Sequence, residues 1–301
     1  MTKKKKASEG FVISGGTRAA DVVFLFFVLL LALAILFPLY WMFSGTFKST
    51  TLAMKIPPEI WPMTPTMANL QKLFSPTVSV SILGLSFNIP TVLRWIWNSF
   101  FTSGMTAFLV CITGAMAGYS LAKKRFPFRQ AIFWMFIAVL ALPRQVLTIP
   151  LFMMVRDLGW RNTYMGLIVP LIGWPFGIFL MKQFAQTLPD EVLEAAKIDG
   201  CGEVQTFLRI VIPLLKPAVG ALAIFTFMQT WNDYFWQTII LSQTPMLTVQ
   251  LGAETLQRNE FLRDFGLALA AASVATLPML IVFLSFQKFF ARGLTMGAVK
   301  G

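Results

Sequence analysis

The sequence predicts an all-α membrane protein: six transmembrane helices, with a pair of short cytoplasmic helices between the fourth and the fifth. Three observations lead there. Of 301 residues, 56% are hydrophobic and 13% charged, with a mean hydropathy of +0.70, whereas soluble domains carry about 25% charged residues. Six apolar runs match the roughly 20 residues a helix needs to cross a bilayer core about 30 Å thick. Between the fourth and fifth runs the composition changes abruptly to "EAAKIDGCGEVQTFLRIVIPLLKP", residues 194–217, where acids, glycines and two prolines gather.

Residues 1–20 form a basic tail with Lys3, Lys4, Lys5, Lys6 and Arg18, expected at a membrane surface. The first span is placed at 21–43. A cleaved signal peptide is disfavoured, because the run exceeds the usual ~7–15 apolar residues and ends in "FPLYWMF" without a small-residue cleavage site. Tyr40, Trp41 and Phe43 suit an interfacial belt, as do Trp95 and Trp97. Residues 44–97, with Pro57, Pro58, Pro62, Pro65 and Asn69, read as an irregular outer loop, either a surface cover or a docking face. The second span is 98–122. A basic loop follows, then spans at 131–155, 164–184, 218–241 and 266–286, with a polar outer segment at 242–265.

Orientation follows from the positive charges. With a cytoplasmic N-terminus, 16 of the 25 Lys and Arg fall inside. The short loop carrying Lys123, Lys124, Arg125 and Arg129 is the strongest local signal. Both termini and the 188–212 segment are then cytoplasmic. The net charge of +12 sits at the ends of apolar runs rather than along one face, so nucleic acid is not an expected partner.

Several chemistries are excluded. No histidine is present, which removes the commonest general base and metal ligand. Cys111 and Cys201 are too far apart in sequence and setting to suggest a disulfide or a metal site. No G-x-x-x-x-G-K-[S/T] phosphate loop occurs, so ATP and Mg are expected only in a partner chain. The stretch Gly84-Leu-Ser86-Phe-Asn88 lacks the last glycine of a nucleophile elbow. Two ionisable residues are candidates for a place deep in the spans, Arg144 beside Pro143 and Asp233 in "WNDYFW", and two unlike charges at different depths do not make a proton relay. A self-contained secondary carrier is therefore the weaker alternative, and no catalytic residue or bound metal is expected.

The polar segment resolves into two helices. Thr187 is expected to cap the first, with Asp190 completing a capping box, and Leu188, Val192, Ala195 and Ala196 forming a shallow apolar stripe. Gly200 is placed to end that helix in the left-handed conformation. A second helix fits 203–212, with Val204, Phe207, Leu208 and Val211 on one face and Pro213 breaking it. From periodicity alone the pair is either an interfacial connector or a docking knob for another protein.

The ordered run Glu194, Ala195, Ala196, Asp199, Gly200, Phe207, Ile210, Pro213 and Pro217 resembles the EAA signature of binding-protein-dependent ABC importer permeases. "TIPLFMMVRDLGWRNTYMGLIVP", "FGIFLMKQFAQTLPDEVLEAA" and the closing "FFARGLTMGAVKG" resemble the maltose-type carbohydrate branch of that family. The likeness covers nearly all six spans, and no familiar motif covers 1–20 or much of 44–97. The resemblance implies a permease domain over 21–301 that forms half of a sugar path in a bacterial or archaeal plasma membrane. It implies as partners a second homologous permease, two ATPase subunits, an extracytoplasmic solute-binding protein and membrane lipid. It makes 188–212 a pair of coupling helices, with Glu194, Ala195, Ala196, Asp199, Gly200, Phe207 and Pro213 as the ATPase-coupling residues. Gln250, Glu254, Gln257 and Arg258 become candidates to contact the binding protein, although an ordinary connector fits 242–265 equally. Trp231, Asn232, Asp233 and Tyr234 mix polar groups with aromatic faces, which suits a sugar path and also suits an outer aromatic belt. A permease for a polyol or a glycerol phosphodiester remains the alternative within transport.

Overall fold

The computed structural model describes residues 18–82, 85–260 and 264–296. Its helices, in chain order, begin with α1 (Arg18–Thr46), α2 (Thr50–Ala53) and α3 (Ala68–Phe74). A hairpin of β1 (Thr77–Ile82) and β2 (Leu85–Pro90) follows, then α4 (Thr91–Lys123), α5 (Arg129–Leu140), α6 (Thr148–Asp157), α7 (Tyr164–Ile168) and α8 (Pro175–Gln186). The polar segment holds α9 (Asp190–Ile198), α10 (Glu203–Thr206) and α11 (Ile212–Leu214). The chain then forms α12 (Lys216–Trp231), α13 (Phe235–Ile240), α14 (Val249–Glu260) and α15 (Phe265–Met296).

Ala20–Thr46, Thr91–Lys123 and Phe265–Phe286 are each long and apolar enough to cross a membrane as single helices. The expected straight spans at 131–155, 164–184 and 218–241 are not found. Arg129–Leu140 and Arg144–Asp157 meet at 98°, and Tyr164–Leu171 and Pro175–Gln186 at 45°. Pro143 and Pro175 each lack an N–H and crowd the preceding turn, so the chain bends at them while the hydropathy stays high. The expected fifth span stops early: α12 ends at Trp231, and Asn232–Tyr234 separate it from α13. Glu203–Leu214 also meets Lys216–Trp231 at 78°.

The fold is predominantly, not wholly, α. The supposed irregular outer loop contains the antiparallel hairpin, in which Ser79 pairs with Asn88 and Ser79 Oγ lies 2.8 Å from Asn88 Oδ1. Asn69, expected to be irregular, lies on α3, buried, and donates to the Thr46 and Lys48 carbonyls at 2.9 and 2.8 Å. The second long helix starts at Thr91 rather than Asn98. Trp95 is buried, with its indole N–H on the Thr244 carbonyl at 2.8 Å, so it is no belt residue. Trp97 is exposed.

In a bilayer, lipid tails are as apolar as a protein core, so helix association depends on close packing and interhelical hydrogen bonds. One core joins Val110, Ala115 and Tyr119 of α4 to Met181 and Ala185 of α8, Leu193 of α9 and Leu222 of α12. Gly118 permits it: a Cβ there would sit 2.6 Å from Met181 Cβ. The second core gathers Trp231, Trp236, Ile240, Val249 and Ala271. At its edge Asn98, fully buried, donates to the Pro245 and Leu247 carbonyls and accepts from the Tyr164 hydroxyl at 2.6 Å. Near its end α1 joins the rest, where Thr46 Oγ1 lies 2.8 Å from Ser273 Oγ of α15. Its residues Val22–Phe37 leave their large apolar side chains exposed.

Candidate functional site

Two regions concentrate the expected functional residues. The first is the α9–α10 pair. α9 ends in a Schellman turn: Gly200 takes φ +77°, its N–H reaches the Lys197 carbonyl at 3.1 Å, and the Cys201 N–H reaches the Ala196 carbonyl at 2.9 Å. The start of α9 differs from expectation. Pro189 occupies the cap position without a side-chain bond, and the Thr187 hydroxyl turns back to the Phe184 carbonyl at 2.8 Å. Thr187 thus closes α8, because the proline leaves no room for a capping box.

The apolar stripe is also redistributed. Leu188, Leu193 and Ala196 are buried, while Val192 and Ala195 face outward with Glu194 and Asp199. Ile198 is 86% exposed, Val204 72% and Leu208 60%. An apolar surface rimmed by carboxylates therefore stands out from the pair. Ala196, expected on that face, belongs to the core, since the seat of α9 is set by Leu193 three residues earlier.

The second helix does not end at Pro213. Phe207–Val211 widens into a π turn and helical geometry continues to Leu214. A π turn accommodates the missing proline N–H and the crowding of its ring against the preceding turn. Phe207 is half-buried and meets the Tyr119 ring at 5.7 Å, while Pro213 is exposed at the bend.

Two lysines of the basic loop hold this pair to α4. Lys123 Nζ donates to the Leu188 carbonyl at 2.5 Å and to Asp190 Oδ1 at 2.7 Å. Lys124 donates to Glu203, holding that carboxyl below the usual range. A groove of about 620 Å³ lies between loop and pair, lined by Arg125, Arg129, Lys197, Glu194 and Cys201 among others.

The second region is a cavity of about 820 Å³. The breaks in the helices converge on it. Arg144, Gln145 and Thr148 come from the corner between α5 and α6. Leu171, Trp174 and Phe176 come from the corner between α7 and α8. Gln229 and the Asn232–Trp236 stretch come from the end of α12. Asn232, Asp233 and Tyr234 thus line the cavity. Asp233 Oδ1 also accepts the Trp236 N–H at 3.1 Å, fixing the start of α13. Trp231 does not line it: the side chain is fully buried and donates to the Ala275 carbonyl at 3.3 Å. Arg144, Gln145, Trp174 and Gln229 were missed as a group. The charge beside Pro143 was the available signal, because a cation next to a helix break in a span usually faces a polar space.

The supposed loop 242–265 is largely helix. Gln250, Glu254 and Gln257 of α14 line a smaller hollow of about 220 Å³ with Tyr234. Arg258 donates to the Tyr234 hydroxyl at 2.9 Å and to Glu254, and Gln250 Nε2 reaches Asn232 Oδ1 at 3.3 Å. The two sets of residues expected to act separately are therefore hydrogen-bonded to one another. The closing run 289–301 is helical to Met296, and its last residues, 297–301, lie outside the described residues.

Broken apolar helices around a largely apolar cavity with a few polar groups in its wall, joined to a protruding helix pair, define a membrane transport subunit. Residues 112–296 match the family of binding-protein-dependent transport system inner membrane components, and the chain belongs to that family. It is 33% identical to the arabinooligosaccharides transport system permease protein AraQ of Bacillus subtilis (strain 168), covering 91% of this chain and 94% of the relative. It is 29% identical to the lactose transport system permease protein LacG of Rhizobium radiobacter, covering 94% and 97%. It is 30% identical to the sn-glycerol-3-phosphate transport system permease protein UgpE of Yersinia enterocolitica, covering 92% and 96%. The fold matches a chain of a bacterial ABC transporter involved in the import of the acidic polysaccharide alginate. That match has a TM-score of 0.75 at 20% identity and covers 92% of this chain and 99% of that one.

Proposed function

We propose that this permease forms half of the translocation path of an ATP-driven importer for a sugar or oligosaccharide. The observation that carries the substrate class is the lining of the large cavity. Trp174 and Tyr234 offer aromatic faces beside Arg144, Gln145, Gln229, Asn232 and Asp233, the mixture that binds hydroxyl-rich rings. The names of the relatives AraQ and LacG support the same class. The non-sugar reading is the second choice, as a phosphate ester of glycerol: it is favoured by the name of UgpE, which gives the monoester sn-glycerol 3-phosphate, and by the guanidinium of Arg144, which suits a phosphate.

In this scheme residues 1–20 are a cytoplasmic tail and 21–301 one permease domain with six membrane passages, three of them bent, both termini being cytoplasmic. The α9–α10 pair couples to a separate ATPase subunit, which binds ATP and Mg. Val192, Glu194, Ala195, Ile198, Asp199, Val204 and Leu208 form the docking face, Gly200 sets its turn, and Phe207 and Pro213 hold its angle. A second permease with its own ATPase closes the cavity. ATP-driven closure of the ATPase pair then turns the two permeases as rigid bodies between inward-facing and outward-facing states. Gln250, Glu254, Gln257 and Arg258 contact a solute-binding protein on the outer side.

The test is reconstitution of the whole importer in liposomes with its binding protein. Uptake of labelled α-1,5-arabinotriose or lactose that requires both ATP and the binding protein supports the reading. Uptake of sn-glycerol 3-phosphate alone replaces it with the second one.

A further inference from the structure

The large cavity has a recess. Arg144, Trp174, Gln229 and Asp233 line both spaces, and the recess is closed behind by Thr106 of α4 with Thr226 and Thr230 of α12. Its volume is about 10 Å³, close to the room one water-sized atom needs.

Thr106 is 1% exposed, and its hydroxyl has no hydrogen-bond partner. Threonines in helices usually satisfy the hydroxyl on the carbonyl one turn back. On the same helix Thr102 does so on Asn98 at 2.7 Å and Thr113 on Leu109 at 2.9 Å. Across the recess Thr226 does so on Leu222 at 2.8 Å. Thr106 alone of these four leaves its hydroxyl for the recess. A buried polar group without a partner is costly in a span and calls for one supplied from outside the helix.

We propose that the recess is a subsite for a single substrate hydroxyl, so that this chain itself selects among sugars. The inference rests on the sugar reading above. A sugar ring is far too large for the space, but one hydroxyl fits. The walls match both of its capacities: Asp233 accepts its proton, while Arg144 and the Thr106 hydroxyl donate to its oxygen. The ring then remains in the large cavity against Trp174. A site that hydrogen-bonds a particular hydroxyl discriminates strongly against an analogue lacking it, because its own buried groups are left unpaired.

The experiment compares the reconstituted importer with its Thr106→Val, Thr106→Ser and Thr113→Val variants, measuring uptake of α-1,5-arabinotriose and lactose per ATP hydrolysed. Valine keeps the shape of threonine and removes the hydroxyl. The expected result is a fall of about fivefold or more in uptake per ATP for Thr106→Val, recovery in Thr106→Ser, and no change in Thr113→Val. Uptake per ATP in Thr106→Val within about twofold of the parent overturns the subsite. A parent that hydrolyses ATP and moves neither sugar overturns the sugar reading and the subsite with it. Should Thr106→Val not assemble, Arg144→Met, which removes the donor at an exposed position, carries the same test: the same loss is expected, and uptake within about twofold of the parent overturns the proposal.

Discussion

Gly200 holds φ at +77° with no heavy atom within 4 Å of where a Cβ would stand. The cost of a substitution there is therefore backbone strain, about 1–2 kcal/mol for an ordinary L-residue in the left-handed region, and greater for a β-branched one. Asparagine tolerates that region. Gly200→Asn should keep uptake within about twofold of the parent, while Gly200→Val should lower uptake about tenfold with ATP hydrolysis retained. Equal uptake by both variants would contradict the role of the turn. This glycine was legible because a short amphipathic run followed by Asp199-Gly200 has one common solution. Trp231 was not, because nothing local distinguishes a cavity-lining indole from a buried one. Its fate is decided by the carbonyl of Ala275, on a helix 44 residues away. Ala196 and Thr187 escaped for related reasons: the packing of Leu193 and the rigidity of Pro189 outweighed a pattern that fitted two registers.

Helices bend here where the sequence shows a proline in a largely apolar run, with Arg144 and Gln145 beside Pro143 as the one polar interruption at the sharpest of the proline corners. The hydropathy that locates a membrane passage averages over about 19 residues and is blind to a 98° corner, so the apolar helical stretches were legible and their shapes were not. The corners matter, because the cavity is made of them. The basic loop shows the same limitation. Lys123 and Lys124 were read as an orientation signal, yet they also bind α4 to both short helices. Their strengths should differ. Lys123 has a side chain only 9% exposed and a second acceptor in the Leu188 carbonyl. Lys124 and Glu203 form a more exposed pair, and exposed pairs contribute roughly 0.2–1 kcal/mol. Lys123→Gln should therefore reduce uptake per ATP more than Lys124→Gln. The charge swap Lys124→Glu with Glu203→Lys should recover what Lys124→Glu alone loses. A double variant no better than the single one would argue that the pair carries no force between α10 and α4.

At the scale of the whole molecule, one carboxylate joins two parts of the segment between α1 and α4 to the start of α15. Asp264 is buried and accepts from Thr50 Oγ1 at 2.6 Å, Lys72 Nζ at 2.5 Å and the Leu267 N–H at 3.0 Å. Burial pushes its pKa up, but the hydrogen bonds from Lys72, Thr50 and Leu267 outweigh it and hold the carboxyl below its ordinary value of 3.8. A depressed carboxylate stabilises the fold above that value and loses its effect as pH falls through the folded-state pKa. Asp264→Asn should lower the melting temperature in detergent at pH 7, by an increment that shrinks when both proteins are compared below pH 3.8. A constant difference across that range would show that charge is not what Asp264 contributes. The hairpin within this segment had a signal that the prolines around it obscured, the alternation of Val78, Val80 and Ile82 with serines, which is the period of a strand.

Sidedness is the claim on which the scheme turns, and the chain contains its own probe. Only two cysteines are present. Cys111 is buried within α4, whereas Cys201 is partly exposed in the turn between α9 and α10. A membrane-impermeant maleimide should therefore react at Cys201 and spare Cys111 while the fold is intact. On the proposed orientation, which the positive-inside distribution supports, inverted membrane vesicles should be labelled and right-side-out cells should not. Adding the ATPase subunit should then protect Cys201 in inverted vesicles, because the groove it lines adjoins the proposed docking face. Labelling from outside the cell would reverse the topology. It would leave the α9–α10 pair on the side without ATP, where no ATPase could reach it.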